Sequence, residues 1–338
     1  MPTKPFDEID SIVGESLVTV ENFKIEAGKL EEFARAITSE DPVFRDSDIA
    51  ADRGLDRVPA PLTYERVGSF PRYTPDEGGE FDLGLRPEYI LHGEQSYEYE
   101  RPLYVGDVLT GTTTVTDVFQ REGGRAGTMT FVLQETEYRT NDDELVLTAQ
   151  STTIETEGAV EEDDDSAESA TDTSAADVPD PDEVDASPGG DPTGVGDRIR
   201  TATDLSVGDV GPIVVAETLE RPDFVKYAGA SGDFNPIHYD EPYATGAGNE
   251  SVFAQGMLTA GIISRVPARW FPLPAIDSFG VRFQSRVFPG ETVVATGEVV
   301  DLTDVSGGTA VEIELEATTQ RGGGEIVLTG SALATLPE

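Results

Sequence analysis

The chain has 338 residues, of which 66 are acidic and 23 are basic, so its formal net charge is −43 at pH 7. A surface with this much negative charge repels nucleic acid and anionic membranes, and we expect neither as a partner. The absence of cysteine excludes disulfides and thiolate chemistry, and no apolar run approaches the ~18 residues of a membrane-spanning helix. We therefore expect a cytoplasmic protein.

The first half of the chain begins with a helical pattern and continues with strands. Leu30, Phe33, Ala34 and Ile37 recur at the spacing of one helical face, and an Asp-Pro loop follows at 41–46. Segments rich in Val, Thr and Ile, which favour β structure, come after that loop. We predict strands at 94–103, 108–119, 127–139 and 145–156.

An acidic segment separates the two halves. No lysine or arginine occurs between Arg139 and Arg198, and residues 157–197 consist mostly of Asp, Glu, Ser, Thr, Ala, Pro and Gly. Such a segment buries too little apolar surface to offset the entropy lost on ordering. We predict a disordered acidic linker over 157–200, between one domain at 1–156 and another at 201–338.

The second half repeats the order of the first. A helix is predicted over 218–228, an Asn-Pro loop at 235–240 and an apolar helix over 256–265. A repeat of this length predicts a duplicated domain rather than a solenoid. The strands that follow are predicted at 279–287, 292–302, 310–319 and 326–334.

Each copy therefore reads as helices followed by long antiparallel strands, which is an α+β arrangement. A single sheet needs one face covered, and the best cover is the apolar helix at 256–265, where Gly256, Ala260 and Gly261 permit close backbone contact. A sheet wrapped around such a helix is a hotdog domain. We expect two of them to form a pseudo-dimer within one chain, which is either monomeric or a homodimer.

The candidate chemistry lies in the loop and helix of the second half. His238 follows Asp233 by five residues, in a loop where Pro236 restricts the backbone of Asn235. An imidazole can give or take a proton near neutral pH. Gly256 opens the apolar helix, and the N–H groups of a helix N-terminus can stabilise negative charge on a carbonyl oxygen. This combination suits the addition of water to an enoyl thioester.

The motif from Gly232 to Asp240, followed by Gly256-Met257-Leu258 and Ser264, resembles that of MaoC-like (R)-specific enoyl-CoA hydratases. The likeness extends over roughly 206–337. It implies that Asp233 and His238 are the catalytic pair and that Gly256 supplies the oxyanion-hole N–H. Gln255 departs from the His found in many members, and we expect it to tune activity. The residues expected to contact or position the substrate are Asn235, Gln255, Met257, Ser264 and, from the first half, Phe44.

The first half resembles the non-catalytic partner domain of two-domain relatives. Ser39 stands where Asp233 does and Phe44 where His238 does, while Asp41 replaces Asn235. The counterpart of the central helix, around 61–70, is interrupted by prolines at 59 and 61. We expect one working site per chain, with this half shaping the acyl pocket or stabilising the pair. His92, placed just before a predicted strand, is not expected to be catalytic.

The resemblance implies reversible hydration of a trans-2-enoyl-CoA to a (3R)-3-hydroxyacyl-CoA, with coenzyme A as part of the substrate and no cofactor. Three alternatives are a hydratase or dehydratase of a small branched or dicarboxylic acyl-CoA of the mesaconyl-CoA type, a non-enzymatic acyl-CoA-binding protein, and a thioesterase. With two distant histidines and no cysteine, we expect no metal site. Candidates for the coenzyme A phosphates are Arg265, Arg269, Arg282 and Arg286.

The excess of acidic residues in both halves, with only four lysines, resembles the composition of proteins from extreme halophiles. Salt screens the repulsion between like charges. We therefore expect a protein that is stable at high ionic strength and loosens in dilute buffer.

Overall fold

The computed structural model of the protein describes residues 2–70, 79–123, 127–156 and 198–338. The acidic linker predicted over 157–200 lies outside these ranges except for its last three residues, and it stays a prediction.

The strands form a single antiparallel sheet of ten. Side chains along them alternate between the core and the other face, as at the start of the third strand, where Leu109, Thr113 and Val115 are buried. The strands are β1 (Ser16–Lys24), β2 (Ile90–Tyr99), β3 (Val108–Gly123), β4 (Gly127–Thr140), β5 (Leu145–Glu155), β6 (Val214–Leu219), β7 (Ile276–Phe283), β8 (Glu291–Val305), β9 (Gly308–Thr319) and β10 (Glu325–Leu336).

The strand order is palindromic: β1-β3-β4-β5-β2 from the first half meets β7-β10-β9-β8-β6 from the second. The halves are joined by antiparallel pairing of β2 with β7, which sets Gln95 opposite Val281 and Tyr97 opposite Phe279. Since each half has the same order when read outward from this seam, approximate twofold symmetry relates them. The predicted α+β fold of two hotdog domains is confirmed.

The described residues also form seven α-helices and several short 3₁₀ helices, which pack on one face of the sheet or lie at its ends. The α-helices are α1 (Phe6–Asp10), α2 (Ala27–Ala36), α3 (Ser47–Asp52), α4 (Arg221–Ser231), α5 (Glu241–Gly246), α6 (Gly256–Ile263) and α7 (Arg265–Trp270). The 3₁₀ helices are Pro42–Phe44, Tyr64–Val67, Pro87–Tyr89, Ala202–Asp204, Pro236–His238, Leu273–Ala275 and Arg321–Gly323.

The central helix α6 is buried along its whole length after the first residue. A Cβ atom at Gly261 would lie 2.4 Å from Cγ2 of Ile37, so the absence of a side chain lets α6 approach the end of α2 from the other half. In the first half, the short 3₁₀ helix Tyr64–Val67 takes the place of a long central helix. Pro59 and Pro61, which were expected to interrupt the helix, lie before it rather than within it.

Several predicted boundaries need correction. The helix predicted over 218–228 begins only at Arg221, because Thr218 and Leu219 end β6. Strand β2 runs from Ile90 to Tyr99 rather than over 94–103, and β7 ends at Phe283. The helix α1 and the two outer strands of the sheet, β1 and β6, were not predicted.

Candidate active site

The loop after α4 holds its shape through local hydrogen bonds. Gly232 ends the helix with φ 93°, a left-handed conformation that glycine adopts without steric cost. The Ser231 hydroxyl accepts from Asp233 N at 3.1 Å, and Asn235 Oδ1 accepts from Ile237 N at 3.2 Å, which caps the 3₁₀ helix Pro236–His238. These contacts fix the backbone positions of Asp233 and His238.

One ring nitrogen of His238 is committed to the backbone. Its Nδ1 lies 2.8 Å from the carbonyl oxygen of Phe253. Because a carbonyl oxygen only accepts, Nδ1 carries the proton, and in the neutral imidazole the lone pair is on Nε2. Burial lowers the pKa of His238, and the charge of Asp233 opposes that shift. His238 is therefore neutral at pH 7, with Nε2 ready to accept a proton.

The N-terminus of α6 lies at the same place. The residue before it, Gln255, makes no side-chain hydrogen bond to cap the helix, and its Nε2 instead donates to the carbonyl of Phe224 at 3.0 Å. A Cβ atom at Gly256 would approach the Phe283 ring to 3.0 Å. Glycine thus allows tight packing here, and the first N–H groups of the helix stay without intrahelical partners.

These groups meet in a cavity of about 600 Å³ that both halves line. Of the predicted site residues, it brings together Asp233, Asn235, His238, Gly256 and Met257. The remaining lining residues of the second half are Phe234, Ile237, Phe253, Ala254, Thr259, Phe283, Gln284, Ser285, Arg286, Val287 and Val327.

Three of the residues predicted to contact or position the substrate do not line the cavity. Phe44 is 4% exposed and packs in the main hydrophobic core, so it shapes the cavity at most indirectly, through packing. Ser264 is buried at the end of α6, where its hydroxyl donates to the carbonyl of Gly261 at 2.8 Å. Gln255 is buried behind the cavity wall against α4. We assign both to positioning α6 rather than to substrate contact.

The first half contributes five cavity residues that the sequence did not indicate: Arg66, Phe70, Ile90, Leu91 and His92. His92 lies inside β2 rather than before it. Its Nε2 is 3.1 Å from Gln95 Oε1, and its ring centroid is 4.9 Å from that of Phe283. Burial, with a smaller effect from Arg66, lowers the pKa of His92 to about 3, so this ring is a neutral wall residue at pH 7.

The arginines proposed for coenzyme A phosphates separate into two groups. Arg286 lines the cavity, with its guanidinium 5.3 Å from the centroid of the Phe253 ring. Arg282 is paired with Glu94 across the seam. Arg265 is buried, donates to the Thr38 hydroxyl, and has its pKa lowered to about 10 chiefly by burial. Neither these two nor Arg269 lines the cavity, and a phosphate contact of Arg286 stays a prediction.

The matching loop of the first half has the same cap geometry, with Ser39 and Phe44 in the places of Asp233 and His238. Asp41 Oδ1 accepts from Val43 N at 3.0 Å and caps the 3₁₀ helix Pro42–Phe44, as Asn235 caps its counterpart. Phe44 is thus the last residue of its 3₁₀ helix, as His238 is the last residue of the matching one. The other oxygen of Asp41, Oδ2, lies 2.8 Å from Arg53 and 2.7 Å from Arg198.

In the described part of the chain, no cluster of three or more His, Asp or Glu side chains could hold a metal ion. None of its helices has the length and apolar composition needed to cross a membrane.

Two family models match the chain, one in each half. Residues 11–149 match the model described as "FAS1-like, dehydratase domain region", and residues 202–321 match the "MaoC like domain". A UPF0336 protein of Thermobifida fusca is 32% identical over 142 residues, which are 40% of this chain and 86% of that protein. The mitochondrial 3-hydroxyacyl-[acyl-carrier-protein] dehydratase of Arabidopsis thaliana is 27% identical over 139 residues, 41% of this chain and 82% of its own length.

Solved structures resemble the chain over nearly its full length. One described as a MaoC-like dehydratase gives a TM-score of 0.74 at 22% identity, covering 98% of this chain and 100% of that one. A Mycobacterium tuberculosis protein described as a double hotdog fold gives 0.65 at 16% identity, covering 98% of both chains. These likenesses support the fold.

Proposed function

The chain belongs to the MaoC-like dehydratase family of hotdog proteins, and we propose that it adds water reversibly to a trans-2-enoyl-CoA, giving a (3R)-3-hydroxyacyl-CoA. One observation carries the proposal: a single cavity is lined by a carboxylate, a neutral imidazole and the uncapped N-terminus of an apolar helix. The (3R) configuration follows from the resemblance of the motif.

In the hydration direction, water is held between Asp233 and His238. Nε2 of His238 accepts a proton as the water oxygen forms a bond to Cβ of the enoyl group. The Asp233 carboxylate accepts a hydrogen bond from the other hydrogen, which stays on the oxygen, and it stabilises the imidazolium that forms. The same charge opposes the fall in the His238 pKa that burial causes, which is consistent with that role.

The electrons of the Cα=Cβ bond move onto the thioester oxygen as the new bond forms. The N–H of Gly256 donates to this enolate oxygen, and the positive end of the α6 dipole adds to the stabilisation. The imidazolium then gives its proton to Cα, and the thioester carbonyl forms again. One water molecule has been added across the double bond, and dehydration is the reverse path.

We propose coenzyme A as the carrier of the acyl group. The Arabidopsis relative is named for an acyl carrier protein substrate, and a chain of charge −43 repels an acidic carrier protein in dilute buffer but much less at high ionic strength. The choice of a coenzyme A thioester therefore rests on the cavity. Arg286 offers a cation for its phosphates at the cavity wall.

Two other classes of function fit the site less well. A hotdog thioesterase would normally place a carboxylate on the central helix, and α6 (GMLTAGII) contains none. A pure acyl-CoA-binding protein has no use for an acid/base pair in its cavity.

The test is turnover of crotonyl-CoA by the full chain in molar potassium chloride. We expect loss of the enoyl absorbance without release of free thiol, and 3R-configured product on chiral analysis. Thiol release would identify a thioesterase instead. Tight binding without either change would identify a binding protein.

A further inference from the structure

A second cavity is lined by both halves of the chain and is distinct from the candidate active site. Its volume is about 270 Å³, and none of its lining residues lines the larger cavity. The first half contributes part of α3 and residues beside it, including Arg53. The second half contributes Arg198, Arg200 and residues around the start of the 3₁₀ helix that precedes β7. The cavity therefore lies where the two halves meet.

Three arginines line this cavity in a chain whose net charge is −43. Arg53 and Arg198 lie close together, because Nη1 of the first and Nη2 of the second contact the same oxygen of Asp41, at 2.8 and 2.7 Å. Arg200 is more exposed. Among the lining residues the one carboxylate is that of Asp52, which is also exposed. Three positive charges thus meet two negative ones, and one positive charge is left over.

The ion pair with Asp41 does not use all of the Arg53 guanidinium. Its Nη2 is buried and has no hydrogen-bond partner among the described residues. A buried N–H group without an acceptor is costly in free energy, so this position suits a ligand that brings an acceptor oxygen. The planar guanidinium matches the two oxygens of a carboxylate.

The rest of the cavity wall is mostly apolar. Val43, Ile49 and Leu55 come from the first half, and Leu273 lies between two prolines in the second. The volume is slightly below the ~300–1,000 Å³ of pockets that hold drug-sized ligands, so the ligand is much smaller than a coenzyme A thioester. One spare positive charge favours a monoanion over a phosphate monoester, whose charge is about −2 at neutral pH.

We propose that this cavity binds a short-chain monocarboxylate, with the carboxylate on Arg53 and Arg200 and the carbon chain against the apolar wall. Because the cavity is distinct from the candidate active site, the inference does not rest on the proposed function. A ligand held by both halves also stabilises the fold, since it binds the folded chain only.

The probes are acetate, butanoate and hexanoate, titrated into the full chain in molar potassium chloride and followed by calorimetry. Each added methylene should tighten binding by about fourfold, as expected for its transfer into an apolar cavity. Hexan-1-ol has the same carbon chain without the charge, and it should bind at least tenfold more weakly than hexanoate. Inorganic phosphate, which lacks the apolar part, should also bind more weakly.

Two arginine variants assign the binding to this cavity. Arg53→Gln should weaken hexanoate binding by about 10- to 100-fold, the range expected for a hydrogen bond to a charged group. Arg53 also pairs with Asp41, so Arg200→Gln is the second variant, because Arg200 takes no part in that ion pair. It should weaken binding by about three- to fivefold, as expected for a more exposed charge. The control is Arg35→Gln, an exposed arginine of α2 paired with Glu31, which should leave the affinity unchanged.

The larger cavity is the competing location for an apolar carboxylate. If the proposal is right, Arg286→Gln leaves the hexanoate affinity unchanged, and saturating butanoyl-CoA does not displace hexanoate. Binding that is lost in Arg286→Gln and kept in Arg53→Gln would place the ligand in the candidate active site and overturn the proposal. Equal affinity for acetate and hexanoate would overturn it as well, and so would the absence of any binding, which would mean that water fills the cavity.

Discussion

Asp41 and Arg198 form a largely buried ion pair, with 2.7 Å between the carboxylate oxygen and the guanidinium nitrogen. Arg198 is the first described residue after the acidic segment, and it also donates through Nε to the carbonyl of Ala268 in α7. Asp41 is the counterpart of Asn235 in the active-site loop. The first-half loop that matches the active-site loop thus holds the start of the second half in place.

Asp41→Asn should destabilise the fold markedly. The change leaves the guanidinium groups of Arg53 and Arg198 close together with no carboxylate between them, and breaking a buried ion pair costs about 3–5 kcal/mol. The measurement is urea unfolding in molar salt. Asp46→Asn is the control, because Asp46 caps α3 from an exposed position, and it should cost no more than ~1 kcal/mol. Comparable losses in the two variants would show that the ion pair does not stabilise the junction.

Asp233→Asn and His238→Gln should each lower kcat for hydration by about 10²-fold or more, because each removes a proton-transfer or charge-stabilising group. Both side chains line the cavity, so neither change should greatly affect folding. Ser39→Ala is the matched control in the first half, and it should retain near-normal turnover. Normal rates in both variants would contradict the assignment of Asp233 and His238 as catalytic residues.

The pH dependence of kcat/KM should report on His238. Nε2 accepts a proton only in the neutral ring, and burial lowers the pKa of this ring below 6.5. Activity should therefore hold through neutrality and fall on the acid side only below pH 6.5. In Asp233→Asn the fall should move to still lower pH, since the charge that raises the His238 pKa is gone. His92, with its pKa lowered to about 3, should not contribute in this range. A fall centred above pH 6.5 would contradict this account.

The thermal midpoint should rise as potassium chloride increases from ~0.1 M to ~2 M, because the Debye length falls from ~10 Å towards a few ångströms and the repulsion within a chain of charge −43 is screened. Sucrose at matched osmolality is the control, since it favours burial without screening charge. An equal rise in sucrose would show that screening is not the cause.

The parts of the fold that the sequence predicts well are those with a local signal. The helix that opens at Gly256 and the strands rich in Val, Thr and Ile lie close to their predicted positions. Strand β1 was missed because it is an irregular edge strand, whose pairing with β3 shifts register between Val18 and Phe23. An edge strand paired on one side has a weaker pattern than a central one.

For the site, the sequence predicts the half that contains the motif and misses the half that completes the cavity. Asp233, His238 and Gly256 are local in the chain and could be found from spacing. His92 reaches the cavity because β2 pairs with β7 across the seam, a contact between residues almost two hundred positions apart. Arg66 reaches it from the 3₁₀ helix Tyr64–Val67, which contacts α4 of the second half. No local pattern encodes such a pairing, and the misplaced start of β2 put His92 outside the strand.

The β2–β7 pairing also affects how the sequence of this chain can evolve. In a symmetric homodimer every substitution occurs in both subunits, so a residue suited to a binding wall must also be tolerated beside the acid/base pair. Here the seam joins two segments of one chain that no longer share a sequence. Each half can therefore specialise alone, one for recognition and the other for proton transfer. Under the proposed function, such a division of labour leaves one catalytic centre per chain and puts the choice of acyl group under separate control.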